Sequence, residues 1–271
     1  MEGMFVVFDI GGTKMRVAKV DGTELADIRI EPTPKDPQEG IAQLISLIQS
    51  VSKGEALLGV AGCIAGRIDS EGKVYGARNL VAWQGATIVK EVASVLRVPV
   101  FIANDAEFAG LGESSMGGGK GSSVLVYVTV STGVGGALIR NGSIDFSAND
   151  LEVGRIPVEG GDLEGTVSGT AVRNRFGIEP KDFESLEERK KLADILASGL
   201  QQVVSKWSPD TIVLGGSMIV GTNAIPLDEV EVALRFGKHD TSVSLPQIKK
   251  AELGDLGGLY GALVYLNQTK K

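Results

Sequence analysis

At 271 residues the chain is long enough for one large domain or two smaller ones with real cores, and a hydrophobic content of 43% excludes a disordered chain. A net charge of −7 with no basic run speaks against nucleic acid binding. Cys63 is the single cysteine, so there is no disulfide framework. No stretch is apolar for long enough to span a bilayer and no signal-peptide pattern precedes the first strand, so the expectation is a soluble, cytoplasmic protein.

Phe5 to Ile10 reads as a buried strand, a short β-branched and aromatic run stopped by paired glycines. Met15 to Val20 alternates as a second strand, Asp21-Gly22 is a hairpin signal, and Glu24 to Ile30 reads as a third strand. The loop Gly11-Gly12-Thr13-Lys14 therefore joins strand to strand. A P-loop or a dinucleotide fingerprint needs a helix at that point, and both are excluded. Such a hairpin tip leaves backbone N–H groups facing outward for an anion, with a threonine hydroxyl and a lysine charge added. Asp9 beside a phosphate makes sense only with a divalent cation between them; the alternative is an ordinary tight turn with a solvated carboxylate.

A proline-punctuated loop, Glu31 to Pro37, leads into a helix marked by Ile41, Leu44, Ile45 and Ile48. Ala56 to Ala61 reads as a strand running into the loop from Gly62 to Arg67, and glycine loops at strand ends either line ligand crevices or simply turn. Asn79 and Trp83 either present an amide and an indole to a polar ligand or pack. Thr87 to Leu96 is expected as a helix with Ile88, Val92 and Val95 inward, and Val98 to Ala103 as the next buried strand. That strand ends on Asn104-Asp105, where a carboxylate is well placed to accept a hydroxyl proton during attack on phosphorus. Asn104 with Glu107 also fits a helix cap, which would leave Asp105 free.

After the flexible stretch Met116 to Gly121 the opening pattern returns. Val124 to Val130 reads as a strand, Ser131 to Gly136 as a glycine loop, Ala137 to Arg140 as a strand and Asn141-Gly142 as a hairpin turn. An internal repeat at domain scale implies two similar hairpins able to grip a phosphate chain. Glu152, Arg155, Asp162 and Glu164 fall in Gly-rich, irregular sequence, either as sugar-binding groups or as exposed polar loops. A long amphipathic helix follows with Leu192, Ile195, Leu196, Leu200 and Val203, then a strand over 211–214 ending in Gly215-Gly216-Ser217, where a base or ribose has room to approach. Leu256 to Ala262 opens a small-residue C-terminal helix, and His239 reads as a surface residue.

Taken in order, Asp9-Ile10-Gly11-Gly12-Thr13-Lys14, Gly59-Val60-Ala61-Gly62, Asn79-Leu80 with Trp83, Asn104-Asp105-Ala106, Ser131 to Gly136, Glu152-Val153-Gly154, Leu163-Glu164 with Ser168-Gly169, and Leu214-Gly215-Gly216 resemble the ROK family of sugar kinases in the actin-like ATPase superfamily. The resemblance implies an α/β, two-lobed actin-like (ribonuclease H-like) fold of duplicated βββαβα-type domains with an ATP and sugar cleft between them. It places the smaller N-terminal lobe at 1–107, with the helix from about 256 to 271 packing back on it, and the larger lobe at 108–255. The implied reaction transfers the γ-phosphoryl group of ATP to a hexose hydroxyl. Asp105 would be the general base, and Gly62, Asn79, Asn104, Glu152, Arg155 and Glu164 would bind the sugar. Gly11, Gly12, Thr13, Lys14, Thr132, Gly133, Gly135, Gly215 and Gly216 would bind ATP, with Asp9 near Mg²⁺ through water.

Two positions depart from the family pattern: Arg155 stands where a histidine is usual, and Asp162 stands where a cysteine of a zinc loop would fall. With one cysteine in the chain, no zinc site is expected. Arg155 either braces that loop by pairing with Glu152, Asp162 or Glu164, or faces the sugar. The expected partners are a small-molecule sugar and ATP, with no nucleic acid and no membrane, and the family suggests a homodimer. The alternatives are an N-acetylhexosamine kinase or fructokinase of the same family, a non-catalytic sugar-binding relative, and an actin-like or chaperone-like ATPase.

Overall fold

The computed structural model describes residues 3–148, 152–237 and 244–269, so His239 and Leu151 lie outside the described residues. The chain divides into two compact units, one of residues 1–112 with 255–271 and the other of residues 113–254.

The first unit opens with β1 (Met4–Ile10), β2 (Lys14–Asp21) and β3 (Glu24–Pro32), an antiparallel meander. Helix α1 (Pro37–Ser52) starts cleanly because the Asp36 side chain accepts the N–H groups of Gln38 and Glu39 at 2.9 and 3.0 Å and Pro37 supplies a preset φ. It buries Ile41, Leu44 and Ile48 on one stripe. Then follow β4 (Leu57–Ile64), the short pair β5 (Arg67–Ile68) and β6 (Val74–Tyr75), α2 (Ile88–Leu96), β7 (Val100–Asn104) and α3 (Asp105–Met116), inside which the division falls. The sheet order is β3-β2-β1-β4-β7, with β4 parallel to both β1 and β7. Helix α2 buries Ile88 and Val92, but Val95, expected inward, is 54% exposed. Val95 shares the stripe of Ile88 and Val92 by spacing but falls in the last turn of a short helix, where Leu96 instead packs against the core.

The second unit repeats the plan. Strands β8 (Val124–Val130), β9 (Val134–Arg140) and β10 (Ser143–Ile144) form a meander whose last turn, Asn141-Gly142, has φ of 49° and 75°, as a type I′ hairpin needs. The hairpin β11 (Pro157–Val158) and β12 (Gly161–Asp162) precedes α4 (Leu163–Val167) and α5 (Gly169–Phe176), and the 22-residue α6 (Leu186–Trp207) supplies Leu192, Leu196, Leu200 and Val203 to the core. Strand β13 (Thr211–Gly215), α7 (Ser217–Val220), α8 (Leu227–Phe236) and β14 (Gln247–Lys250) complete the order β10-β9-β8-β13-β14, with β13 parallel to β8 and β14. Glu113, buried at the end of α3, accepts N–H groups from Gly118, Glu252 and Leu253. The last helix, α9 (Gly257–Thr269), returns to β1 and β4 of the first unit, where Tyr265 stacks on Phe101 at 3.9 Å.

Two expectations need correction, and one open alternative is decided. Strand β4 runs on to Ile64, so Gly62 lies inside the sheet rather than in a ligand-lining loop, paired with Phe8 and Ile102. A side chain at Gly62 would overlap the Phe8 ring, and that is the physical reason for the glycine. Likewise β9 begins at Val134, so Gly135 sits in a strand opposite Thr129 and only Ser131 to Gly133 form the loop. Trp83 is wholly buried and its indole N–H donates to the Pro34 carbonyl at 3.1 Å, so it packs rather than presenting itself to a ligand.

Replacing Gly62 by alanine should lower stability by about 1–3 kcal/mol, the usual cost of overpacking a filled core. A denaturant midpoint matching the unsubstituted protein would show that the Phe8 ring has room to move.

Candidate functional site

In the first unit the carboxyl ends of β1, β4 and β7 lie side by side, with Asp9 opposite Cys63 and Cys63 opposite Ala103. The β1–β2 hairpin closes with the Gly11 N–H donating to the Lys14 carbonyl at 2.9 Å, and Thr13 and Lys14 are exposed at its tip. Asn79 lies beside this tip: a Cβ added to Gly12 would stand 2.8 Å from that of Asn79. The proposed phosphate hairpin and the proposed sugar-binding amide are thus neighbours within one unit.

Asp9 is buried and its charge is met from the neighbouring strand. Arg16, opposite Asp9 in the β1–β2 register, donates through Nη1 to Oδ2 at 2.9 Å and through Nη2 to Asp255 at 3.1 Å. The Cys63 thiol donates to Asp9 Oδ1 at 3.4 Å. Burial holds the Asp9 carboxyl above its ordinary range, against the pull of Arg16 and the thiol, and burial pushes the Cys63 thiol well up. Arg16 was not singled out from the sequence, although the hairpin register places it across from Asp9.

At the end of β7, Asn104 caps α3. Its Oδ1 accepts the Ala106 N–H at 2.9 Å, its own N–H donates to Glu107 at 3.1 Å, and its Nδ2 donates to the Gly66 carbonyl at 2.8 Å. This reciprocal pairing is a capping box. Asp105 also accepts the Ala106 N–H, at 2.9 Å, so the cap does not leave it entirely free. Burial, and then the charge of Asp9, push the Asp105 carboxyl up to about 7, against the hydrogen bonds from Ala106, its own N–H and Asn104. A carboxylate balanced at neutral pH suits general-base work.

In the second unit the hairpin Ser131 to Gly133 and the loop Gly215 to Ser217 meet at the carboxyl ends of the paired strands β8 and β13, and the hydroxyls of Ser131 and Ser217 are 3.2 Å apart. Gly216 has φ of +85°, and a side chain there would meet the Val130 carbonyl, so the site requires glycine. Glu164, in α4, accepts the Val134 N–H at 3.0 Å and so reaches the hairpin. Glu152 is exposed just before the turn Val153–Arg155. Of the acidic residues near Arg155, Asp162 takes the guanidinium, at 2.8 Å, while its other oxygen caps α4 through the Gly165 N–H at 2.7 Å.

Among the described residues no group of three or more His, Cys, Asp or Glu side chains is arranged to hold a metal. Both oxygens of Asp9 are engaged, by Arg16 and by the Cys63 thiol, so a magnesium ion held mainly by nucleotide and water would meet this carboxylate through a water molecule rather than directly.

Replacing Arg16 by methionine should cost on the order of 3 kcal/mol at neutral pH, because Asp9 becomes a buried charge without its counter-charge, left with the Cys63 thiol alone. Burial raises the folded-state pKa of Asp9, so its ionised form is the penalised one, and the deficit should widen as pH rises through the carboxylate range. Denaturant unfolding across that range checks this, and a pH-independent deficit contradicts it.

A family model described as the ROK family matches residues 5–269. The chain is similar to a glucokinase of Streptomyces coelicolor, 32% identical over 311 residues and covering 96% of each chain. It is also similar to an N-acetylgalactosamine kinase of a Shewanella species, 28% identical over 306 residues, covering 96% of this chain and 95% of that one. Among solved structures, a ROK family glucokinase from Streptomyces griseus, in complex with glucose and AMPPNP, matches with a TM-score of 0.79 at 23% identity, over 98% of this chain and 100% of that one. The duplicated five-stranded sheet is the actin-like fold of these kinases. With the family model covering nearly its whole length, the chain belongs to the ROK family.

Proposed function

We propose that this protein is an ATP-dependent sugar kinase that transfers the γ-phosphoryl group to a hydroxyl of a hexose. The observation that carries the reading is Asp105: a carboxyl at the end of a parallel strand, held near a pKa of about 7, in the unit whose first hairpin offers backbone amides to an anion. The acceptor hydroxyl gives its proton to Asp105 as its oxygen attacks the γ-phosphorus. Asn104 and Asn79 orient the sugar from the first unit, and Asn104 keeps one amide hydrogen beyond its bond to Gly66 for that purpose. Glu152 and Glu164 are assigned to sugar hydroxyls, and the pair Arg155–Asp162 braces the segment that carries them.

Gly11, Gly12, Thr13 and Lys14 take phosphate oxygens, as do Thr132 and Gly133. Gly215 and Gly216 leave room for the nucleoside. Gly62 and Gly135 lie within strands, so no binding role is assigned to either. Asp9 would hold a magnesium ion through water, and that ion would supply charge neutralisation on the phosphates. The residues themselves supply positioning, charge neutralisation and a proton acceptor, and such terms carry most of the rate in phosphoryl transfer. Glucose heads the acceptors proposed, with N-acetylhexosamines and fructose as the same chemistry on a changed ring substituent.

With glucose as acceptor, kcat/KM should rise with pH and level off above a midpoint near 7, since only ionised Asp105 accepts the proton. Asp105→Asn should lower kcat by about 10²–10⁴-fold while AMPPNP binding, read by calorimetry, stays close to that of the unsubstituted protein. Turnover retained in this variant, or a profile flat from pH 5 to 9 (about two units either side of an ordinary neutral midpoint), would remove Asp105 from the role of base.

A further inference from the structure

The two glycine hairpins share a feature that their sequences do not display. In the first unit, Thr33, just beyond β3, donates through Oγ1 to the Gly11 carbonyl at 2.7 Å and through its N–H to the Thr13 carbonyl at 3.1 Å. In the second unit, Thr170, in the first turn of α5, donates through Oγ1 to the Thr132 carbonyl at 2.7 Å and through its N–H to the same carbonyl at 3.3 Å. Gly169, just before it, donates its N–H to the Ser131 carbonyl at 2.8 Å. Each hairpin is therefore backed by one threonine that uses its hydroxyl and its amide together.

Accounting for the backbone groups shows what this does. In the second hairpin the carbonyls of Ser131 and Thr132 are taken by α5, and the Gly133 carbonyl accepts the Ser131 N–H at 2.8 Å. The Val134 N–H is taken by Glu164. The N–H groups of Thr132 and Gly133 find no acceptor among the described residues. The first hairpin repeats the pattern. Gly11 N–H is used within the turn, the carbonyls of Gly11 and Thr13 are held by Thr33, and the N–H groups of Gly12 and Thr13 find no acceptor among the described residues. A peptide plane carries the C=O of one residue and the N–H of the next on opposite sides. Holding the Gly11 carbonyl from behind therefore turns the Gly12 N–H the other way, holding the Ser131 and Thr132 carbonyls does the same for the N–H groups of Thr132 and Gly133, and outward amides of this kind make an anion site.

We infer that Thr33 and Thr170 are positioning residues for the phosphoryl donor with the same role in the two units, Thr33 fixing the Gly11 carbonyl and Thr170 the Thr132 carbonyl so that the next amide along, of Gly12 or Gly133, faces the phosphates. The anion is identified as a nucleoside triphosphate through the kinase reading, on which this inference rests; the arrangement of the amides stands apart from it. An exposed threonine in a first helical turn, such as Thr170, would otherwise be an interchangeable surface residue.

Valine keeps the shape and the backbone N–H of threonine and removes only the hydroxyl, whereas serine keeps the hydroxyl. Calorimetric titration with Mg·AMPPNP should show Thr33→Val and Thr170→Val each weakening binding by about 3- to 10-fold, the range for one lost hydrogen bond. The serine variants should stay within about twofold of the unsubstituted protein, glucose affinity should not change, and Tm should stay within the small range of a surface substitution. In the unsubstituted protein, the amide resonances of Gly12 and Gly133 should move on AMPPNP addition, a measurement that needs no variant to fold. Valine variants that bind AMPPNP normally, or that lose nucleotide, glucose and Tm together, would overturn the inference, as would unmoved amide resonances. A protein that binds AMPPNP through these amides yet phosphorylates no sugar would remove the kinase reading and leave the inference standing.

Discussion

Parallel pairing of the first strand of each meander with the strand after the crossover is the constraint from which the site follows. A hairpin reverses the chain at the carboxyl end of β1, and β4 and β7 run the same way as β1, so their carboxyl ends share its edge. The glycine turn, Asp9 and the Asn104-Asp105 pair are therefore brought to one edge by main-chain hydrogen bonding alone. In the second unit the same order brings the turn after β8 beside Gly215-Gly216 at the end of β13. Both edges are the carboxyl ends where ligands of open α/β sheets bind. Duplication gives each unit a tight glycine turn at that edge without any long binding loop.

The electrostatics of the first unit follow from burying Asp9 and Asp105 near one another with Arg16 as the counter-charge held by Asp9. A buried carboxylate with no partner would cost several kcal/mol and would take up a proton instead. Arg16 meets the Asp9 charge and spans to Asp255, the residue ahead of α9, so the strand that carries Asp9 and the returning helix are fastened at one point. Among the described residues Asp105 has no such cation beside it and is met by hydrogen bonds from Ala106, its own N–H and Asn104. The difference in partners is what separates the pair chemically, and in the reaction proposed above Asp105 is the member that exchanges a proton.

Much of this was legible in the sequence because it is written locally. Paired glycines between two short apolar runs mark a strand-to-strand turn, and the recurrence of the pattern after Val124 announces the duplicated sheet. Asn104 followed by Glu107 announces the cap that fixes Asp105 at a strand end. What escaped depends on a partner distant in sequence. Gly62 reads as a loop glycine until Phe8 is known to lie across it, and Trp83 stays open between ligand platform and core until Pro34 is known to receive its N–H. The edge strand β14, Gln247–Lys250, carries two lysines and no periodic apolar signal. Thr33 lies in a proline-rich loop and Thr170 at a helix start, and nothing in their neighbours along the chain marks their hydroxyls as taken. Arg16 is the exception, since counting back from the Ile10–Met15 pair places it opposite Asp9.

The central claim is that the chemistry is phosphoryl transfer to a sugar hydroxyl rather than to water. Phosphorus NMR of the protein with ATP and Mg²⁺, run against a panel of hexoses and N-acetylhexosamines, tests it most directly. The account predicts a new phosphomonoester resonance growing in step with ADP for at least one sugar, with little inorganic phosphate formed. Inorganic phosphate appearing at the same rate with and without every sugar, or no consumption of ATP at all, would contradict it.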